Sequence, residues 1–366
     1  MKHIVIDARI ISTSTGRYVE RLLHYLEKLD TENRYTVLVR KKDESYWKPT
    51  NPNFSIEIAE YAPYSFQEQI GFMRQLKSYN ADLVHFTQVH QPVFYSGAKV
   101  STIHDFTLLN TYNPDKNWLV FRFKQLVGRF AFKRVAASSQ AIVCPTNYTR
   151  EELLRRYRLA PKKVITTHLA GEMRTTDTAP YTDLEGGEQF IMYVGQQSEY
   201  KNIARLGDAH QKLLEIFPAL KLVLVGKIDS PAERNQLYFK RKSYRNIIFT
   251  GYTEDDQLNW LYEHAAAYVF PSRMEGFGLP GLEAMLMGAP VVSSDATCLP
   301  EVYEDAAHYF NPLDVDDMTT KINQVLTDEA LRSRLIKNGH TQVAKYSWQK
   351  TAEQTLAVYR SVLKDE

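Results

Sequence analysis

Pro271-Ser272-Arg273-Met274-Glu275-Gly276-Phe277-Gly278-Leu279-Pro280-Gly281-Leu282-Glu283-Ala284-Met285-Leu286-Met287-Gly288 decides how this chain is read. Just before it, Ala267-Tyr268-Val269-Phe270 is a short apolar run that reads as a buried strand. The order is therefore strand, glycine-containing loop, helix start. A loop and helix N-terminus of this kind expose backbone N–H groups, and such a terminus attracts phosphate. Two carboxylates, Glu275 and Glu283, stand eight positions apart around the Gly276-Phe277-Gly278 turn.

Outward from this stretch the same alternation repeats. Buried strands are expected at His3–Ile6, Tyr35–Val39, Phe54–Ile58, Leu83–Phe86, Val100–Ile103 and Ala141–Cys144. Helices are expected at Arg17–Leu29, Phe66–Lys77, Asn117–Ala137 and Tyr148–Tyr157. Residues 171–188 are small and polar and read as a linker. A second series follows at Phe190–Gly195, Leu222–Gly226, Ile247–Gly251, Ala267–Phe270 and Pro290–Ser293. Strands alternating with helices predict an α/β protein with two parallel sheets. Two such sheets joined by a linker place their strand C-terminal edges at an interdomain cleft, and ligands bind at such edges.

The 366 residues suit two domains, and 44% hydrophobic with 24% charged residues is the balance of a soluble globular protein. No apolar run reaches the ~20 residues that span a bilayer. Met1–Asp7 lacks a signal-peptide layout, so a cytoplasmic location is expected. Cys144 and Cys298 form neither a disulfide framework nor metal-ligand spacing. The net charge of +2 hides an asymmetry. Residues 1–170 hold 25 Lys and Arg against 15 Asp and Glu, and the remainder holds 20 against 28. A basic half invites a lipid headgroup, a phosphorylated acceptor or a membrane surface, although chance unevenness gives the same count. No nucleic-acid partner is expected.

Between Gly251 and Pro312 the order Phe-Thr-Gly-Tyr, Leu-Tyr-Glu-His-Ala, Pro-Ser-x-x-Glu-Gly-Phe-Gly-Leu-Pro, Leu-Glu-Ala-Met, Gly-x-Pro-Val-Val and Leu-Pro-Glu-Val resembles retaining glycosyltransferases of family 4. The resemblance spans nearly the whole chain and implies the GT-B architecture, two facing Rossmann-like domains. It divides the chain into an N-terminal acceptor-side domain, 1–173, and a donor domain, 174–347. In this architecture the last helix, 348–366, packs back on the first domain. The implied activity is transfer of a sugar from a UDP-, GDP- or dTDP-sugar to a glycan, lipid-linked or other hydroxyl acceptor, with retention and without a metal or other cofactor. A nucleotide-sugar 2-epimerase or a non-catalytic nucleotide-sugar-binding partner subunit are the alternatives. A Rossmann dehydrogenase is disfavoured because no G-x-G-x-x-G follows the first strand.

The resemblance assigns roles residue by residue. Glu275 accepts hydrogen bonds from sugar hydroxyls, and Gly276, Phe277 and Gly278 let the backbone approach the sugar. N–H groups near Leu279 face the diphosphate, and Glu283 grips the ribose diol. Lys201 is the cation for the leaving diphosphate. Relatives carry an arginine where this chain has Gln196, an uncharged donor, so Arg205 or Arg273 would have to add any second charge. Gly16 stands where relatives have a glycine pair, and His104 lies near the reacting carbon. Asp105 either orients His104 or caps the next loop. The nucleobase sits near Gly251 and Tyr252. His85 and His90 either line an acceptor pocket or fill a loop. Asp314-Val315-Asp316 reads as a helix cap rather than a metal ligand. The aromatic and basic stretch Trp118–Val135 has two readings: an amphipathic helix in peripheral contact with a membrane, or a core helix with Leu119, Phe123, Leu126, Val127 and Phe130 as its apolar stripe.

Overall fold

The computed structural model describes residues 1–63, 65–111, 118–173, 175, 177–184 and 187–364. They form two compact units, one of Met1–Leu169 with the segment from Ser347 onward, the other Ala170–Tyr346. In the first unit seven strands pair in parallel: β1 (His3–Asp7), β2 (Arg34–Val39), β3 (Phe54–Ile58), β4 (Leu83–Phe86), β5 (Lys99–Thr102), β6 (Ala141–Cys144) and β7 (Val164–Thr166). Their order is β3-β2-β1-β4-β5-β6-β7. The second unit has β8 (Phe190–Val194), β9 (Lys221–Val225), β10 (Ile247–Gly251), β11 (Ala267–Phe270), β12 (Val291–Ser294) and β13 (Ala307–Phe310), also parallel. Their order is β10-β9-β8-β11-β12-β13. Each sheet therefore reverses direction once, between β1 and β4 and between β8 and β11. At such a switch point two neighbouring strands send their following loops to opposite sides, which opens a crevice at the carboxyl edge.

The apolar runs form strands because both faces of a parallel sheet are covered. The sequence pattern passes over β7 and β13. One is only three residues long, and the other, Ala307-His308-Tyr309-Phe310, has half-buried polar residues at its centre. Both are outermost strands, where one side needs no ladder partner. The segment read as a linker is bonded to the second unit. Asn259 Nδ2 donates to Thr175 O and Asp177 O, each at 2.9 Å, and Ala179 N donates to Asp256 O at 3.2 Å.

The helix Trp118–Ser138 corrects the expected apolar stripe at Leu126, Val127 and Phe130, while the side chains of Leu119 and Phe123 lie outside the described ones. Its core face is Phe132, Val135 and Ala136, packed with Phe106, Ile142 and Leu153. Leu126 is 62% exposed, Phe130 50% and Val127 36%. The reason is register: the sheet takes the small and bulky residues of the helix's second half, which turns Leu126 and Phe130 to the opposite side. Asn117, its expected start, lies outside the described residues.

The last helix, Trp348–Lys364, packs on Gly16–Leu29 within the first unit. It reaches the core through Tyr359, whose hydroxyl lies 2.5 Å from His85 Nδ1. His85 Nε2 lies 2.8 Å from Thr102 Oγ1, which is 3.0 Å from the Tyr18 hydroxyl. His85 is thus a fully buried member of β4, with both ring nitrogens occupied, and does not line an acceptor pocket. Burial depresses its pKa to about 3, with nearby His104 adding to the effect.

A second buried polar group closes the end of β1. The Arg9 guanidinium bonds Asp7 Oδ1 and Oδ2, both at 2.8 Å, and Glu68 Oε1 at 3.0 Å, while stacking 4.0 Å over the Phe72 ring. All three charged side chains are buried. Removing the cation takes the counter-charge from two buried carboxylates, so Arg9→Met is expected to cost about 3–5 kcal/mol in urea unfolding. The buried histidine gives a second expectation. Unfolded His85 takes a proton near 6.5, whereas the folded one resists until about 3. The unfolded state therefore binds more protons over that window, and stability falls as pH drops from 6.5 towards 3. His85→Gln should flatten this part of a Tm-against-pH profile; an unchanged slope would rule His85 out as its source.

Candidate active site

The second unit builds its site at the β8/β11 switch point. After β8 the chain makes a short turn, Glu199–Lys201, and ends it at Asn202 in the left-handed region, with φ of +65°. Asn202 Nδ2 donates to Pro312 O at 2.7 Å, which holds the turn against the body of the unit. After β11 the chain runs through Pro271 to Glu275. The Glu275 amide donates to Thr297 Oγ1 at 3.2 Å, and the Cys298 thiol donates to Glu275 O at 3.3 Å. Both loops are pinned by backbone contacts, and their side chains meet: Lys201 Nζ lies 2.6 Å from Glu275 Oε1. The two side chains are 15% and 11% exposed, so the pair is nearly dry yet open to a ligand. Burial by itself would lower the Lys201 pKa, but the Glu275 carboxylate outweighs it and the net shift is upward. Lys201 stays an ammonium at any ordinary pH.

The glycines of the loop answer to one side chain. Gly278 has φ of +99° and precedes the helix Leu279–Leu286. A Cβ on Gly278 would lie 2.4 Å from the Tyr303 hydroxyl oxygen, and one on Gly281 would lie 2.3 Å from it. The hydroxyl fills that hollow and donates to Gly278 O at 2.5 Å. Phe277 turns inward, 4% exposed, with its ring 5.6 Å from that of Tyr346. It anchors the loop from beneath, leaving Gly276 and the peptide backbone as the loop's approachable surface. At the helix start, Pro280 has no N–H and Gly281 donates to Gly278 O at 3.2 Å. Leu279 N–H is the donor left for an anion among the first three helical positions. One turn on, Glu283 is 8% exposed, and the Tyr262 hydroxyl donates to its Oε2 at 3.3 Å. Sequence reading missed Tyr262, Thr297, Cys298 and Tyr303, which hold the site without carrying a motif of their own.

The other cations near this edge have local partners. Arg205 donates to Asn202 Oδ1 at 2.9 Å, and Arg273 donates to Glu199 O at 3.1 Å. Gln196 is exposed, and its Nε2 lies 3.4 Å from Asp229 Oδ2. At the end of β10, Gly251 has φ of +72° and Tyr252 is 75% exposed, beside the exposed Ile228 of the preceding strand's loop. Asp314 accepts from Asp316 N at 2.9 Å and Asp317 N at 3.1 Å, capping the helix Val315–Thr327.

In the first unit the switch point faces a cavity of about 410 Å³ whose walls include Thr13, Ser14, Thr15, His90, His104 and Asp105. Gly16 starts the adjoining helix, and a Cβ there would come within 2.0 Å of Ile11 O. His104 Nε2 lies 2.9 Å from Thr87 O. A carbonyl only accepts, so Nε2 carries the proton; burial lowers the ring's pKa, and Nδ1 is the acceptor nitrogen at neutral pH. The Tyr18 ring meets the His104 ring edge to face at 5.0 Å. Asp105 does not orient His104: its Oδ1 accepts from Thr107 N at 2.7 Å and opens the next helix. His90 Nδ1 lies 3.0 Å from Gln88 Oε1, and burial, with Arg9 close by, pushes its pKa down to about 4. The cavity wall thus combines hydroxyls, neutral imidazoles and apolar side chains with the charged Arg40 and Asp105.

Two family models match the chain: "Glycosyltransferase Family 4" over residues 15–169 and "Glycosyl transferases group 1" over residues 177–342. O-antigen chain mannosyltransferase B of Escherichia coli is 30% identical over 286 residues, covering 74% of this chain and 73% of that protein. The chain belongs to the group 1, family 4 glycosyltransferases. The serotype-specific mannosyltransferase WbdA of Escherichia coli is 38% identical over 183 residues, which is 48% of this glycosyltransferase but only 22% of WbdA. Among solved structures, sucrose-phosphate synthase from Thermosynechococcus elongatus superposes with a TM-score of 0.79 at 19% identity, covering 100% of both chains. HepE from Anabaena, solved with UDP and glucose, gives 0.75 at 15% identity, covering 99% of this chain and 100% of that one. At those identities the likeness shows the fold alone, and that fold is GT-B.

Because Lys201 and Glu275 act as one buried pair, Lys201→Ala and Glu275→Ala are each expected to lower turnover at least about tenfold. The double variant should fall little further, since either single change already breaks the pair. Steady-state kinetics on the three variants checks this, and fully additive losses would show that the two side chains act separately.

Proposed function

We propose that this glycosyltransferase moves a hexosyl group, a mannosyl group by the names of its relatives, from a nucleotide-sugar to a hydroxyl acceptor with retention of configuration. The observation that carries the reading is the nearly dry Lys201–Glu275 pair at the carboxyl edge of the donor-side sheet. An ammonium has three donors, so Lys201 can hold Glu275 and a phosphate oxygen together. Glu275 then presents its second oxygen to sugar hydroxyls, Leu279 N–H meets the diphosphate, and Glu283, steadied by Tyr262, takes the ribose diol.

In this reading the diphosphate leaves while the sugar passes through an oxocarbenium-like state, and its departing oxygen accepts the acceptor's proton on the same face. Catalysis rests on positioning and on charge already in place, which needs neither a side-chain nucleophile nor a metal. The first unit's cavity supplies the acceptor side. Its neutral His104 and its hydroxyl groups can hydrogen-bond a sugar alcohol. Gln196 leaves Lys201 as the principal cation, so the donor is held chiefly by one charge.

The test is donor turnover over a panel of UDP-, GDP- and dTDP-sugars with and without chelator, followed by anomeric analysis of the product by NMR. A retained glycoside formed equally well with chelator is expected. Loss of activity on chelation overturns the metal-free route. Interconversion of the donor without nucleotide release marks an epimerase, and tight binding with no turnover marks a non-catalytic subunit.

A further inference from the structure

Two donors in the wall of the first unit's cavity have no partner among the described residues. Arg40 follows β2 directly and forms part of that wall. It is half-buried, and its Nε is shut off from solvent without a hydrogen-bond acceptor. Among the described residues no carboxylate pairs with its guanidinium. Gln88, on the loop after β4, lines the same cavity and is 8% exposed. Its Oε1 lies 3.0 Å from His90 Nδ1, while its Nε2 is buried and has no acceptor. A buried donor left unpaired is destabilising, more so where it carries charge. A ligand with acceptor oxygens removes that cost.

The rest of the wall narrows the chemistry of that ligand. Asp105 is the wall's carboxylate, but its Oδ1 already accepts from Thr107 N at 2.7 Å. Burial lowers the pKa of both His90 and His104, so the imidazoles add no charge at neutral pH. Arg40 is the wall's one cation at that pH. A carboxylate matches it: planar, singly charged, and able to accept from a guanidinium and an amide at once. A dianionic phosphate brings twice the charge to a wall with one cation and meets the repulsion of Asp105 as well. The exposed hydroxyls of Ser14 and Thr15 suit the alcohols of a sugar ring, and Ile103 and Phe132 its C–H face. The volume of about 410 Å³ lies within the usual range of small-molecule sites, about 300–1,000 Å³.

We propose that this cavity binds an acidic sugar as the acceptor, with the sugar's carboxylate held by the Arg40 guanidinium and Gln88 Nε2 and a ring hydroxyl left for His104. Arg40 and Gln88 then select the acceptor, while Lys201 and Glu275 serve the donor. The inference rests on the transfer reaction and on this cavity as its acceptor side.

The experiment is isothermal titration calorimetry of the full chain with methyl glucuronide, methyl glucoside and glucose 6-phosphate, which share a ring and differ in charge. The glucuronide should bind at least about tenfold more tightly than the glucoside, and less tightly as salt is raised. Arg40→Gln and Gln88→Met should each lower glucuronide affinity at least about tenfold, to the level of the glucoside. Tm shows whether each variant is folded. Arg40→Lys keeps the charge and the stem, so it should keep the preference for the glucuronide even if Arg40→Gln unfolds. Equal affinity for glucuronide and glucoside, or no binding of the glucuronide, overturns the proposal. Tighter binding of glucose 6-phosphate than of the glucuronide makes the anion a phosphate and overturns it too. Transfer is read separately, as nucleotide release from UDP-, GDP- and dTDP-sugars with each probe as acceptor. Release as fast with the glucoside as with the glucuronide overturns the acidic acceptor and leaves the transferase reading standing. Arg40-dependent glucuronide binding without release from any donor supports the carboxylate site and sinks the transfer reading instead.

Discussion

The contact between Lys201 and Glu275 joins residues 74 positions apart, and the order of the strands is what brings them together. β8 and β11 are neighbours in the sheet although two other strands lie between them in sequence. Their following loops part at the carboxyl edge, and each carries one charge into the crevice. Once there, neither charge is stable alone in a largely dry setting, so each makes the other tolerable. The loops are held from behind by Asn202, Thr297, Cys298 and Tyr303, contacts that leave the charged ends free to meet a ligand. Electrostatic catalysis needs this condition, because dipoles and charges already in position need not reorganise during the reaction.

The first unit uses the same topology for a different end. At its switch point the charges are satisfied internally: Arg9 is shared between Asp7 and Glu68 and shielded by Phe72. The cavity is faced by hydroxyls, by imidazoles whose pKa values burial has lowered, and by Arg40 and Asp105. The second unit instead holds an ammonium and a carboxylate, paired with each other, at its carboxyl edge.

Much of the fold was legible because parallel strands buried on both faces must be continuously apolar, and runs such as Ile4–Ile6 and Leu222–Val225 say so directly. The edge strands β7 and β13 were not legible, since an edge needs neither length nor full burial. The run from Glu275 to Glu283 was legible because glycine, proline and carboxylate spacing has few other uses in that order. His85 was misread for a physical reason. A histidine in a strand shows the same letter whether it points at solvent or into a core where Tyr359 and Thr102 occupy both nitrogens. Phe277 misleads in the same way, as a motif residue whose side chain turns down to Tyr346 rather than towards a ligand.

The sequence by itself determined the two parallel sheets, the strand–loop–helix that presents Glu275 and Glu283, and the family. These depend on local periodicity and short-range spacing, which a linear chain records. Only the tertiary structure decided that Lys201 pairs with Glu275, that two glycines make room for one tyrosine hydroxyl, and that Leu126 and Phe130 face outward instead of into the core. Each of these is a meeting, or a failed meeting, of residues far apart in the chain. It is settled by strand order and by which helix face the sheet accepts, and amino-acid spacing along one segment does not encode either.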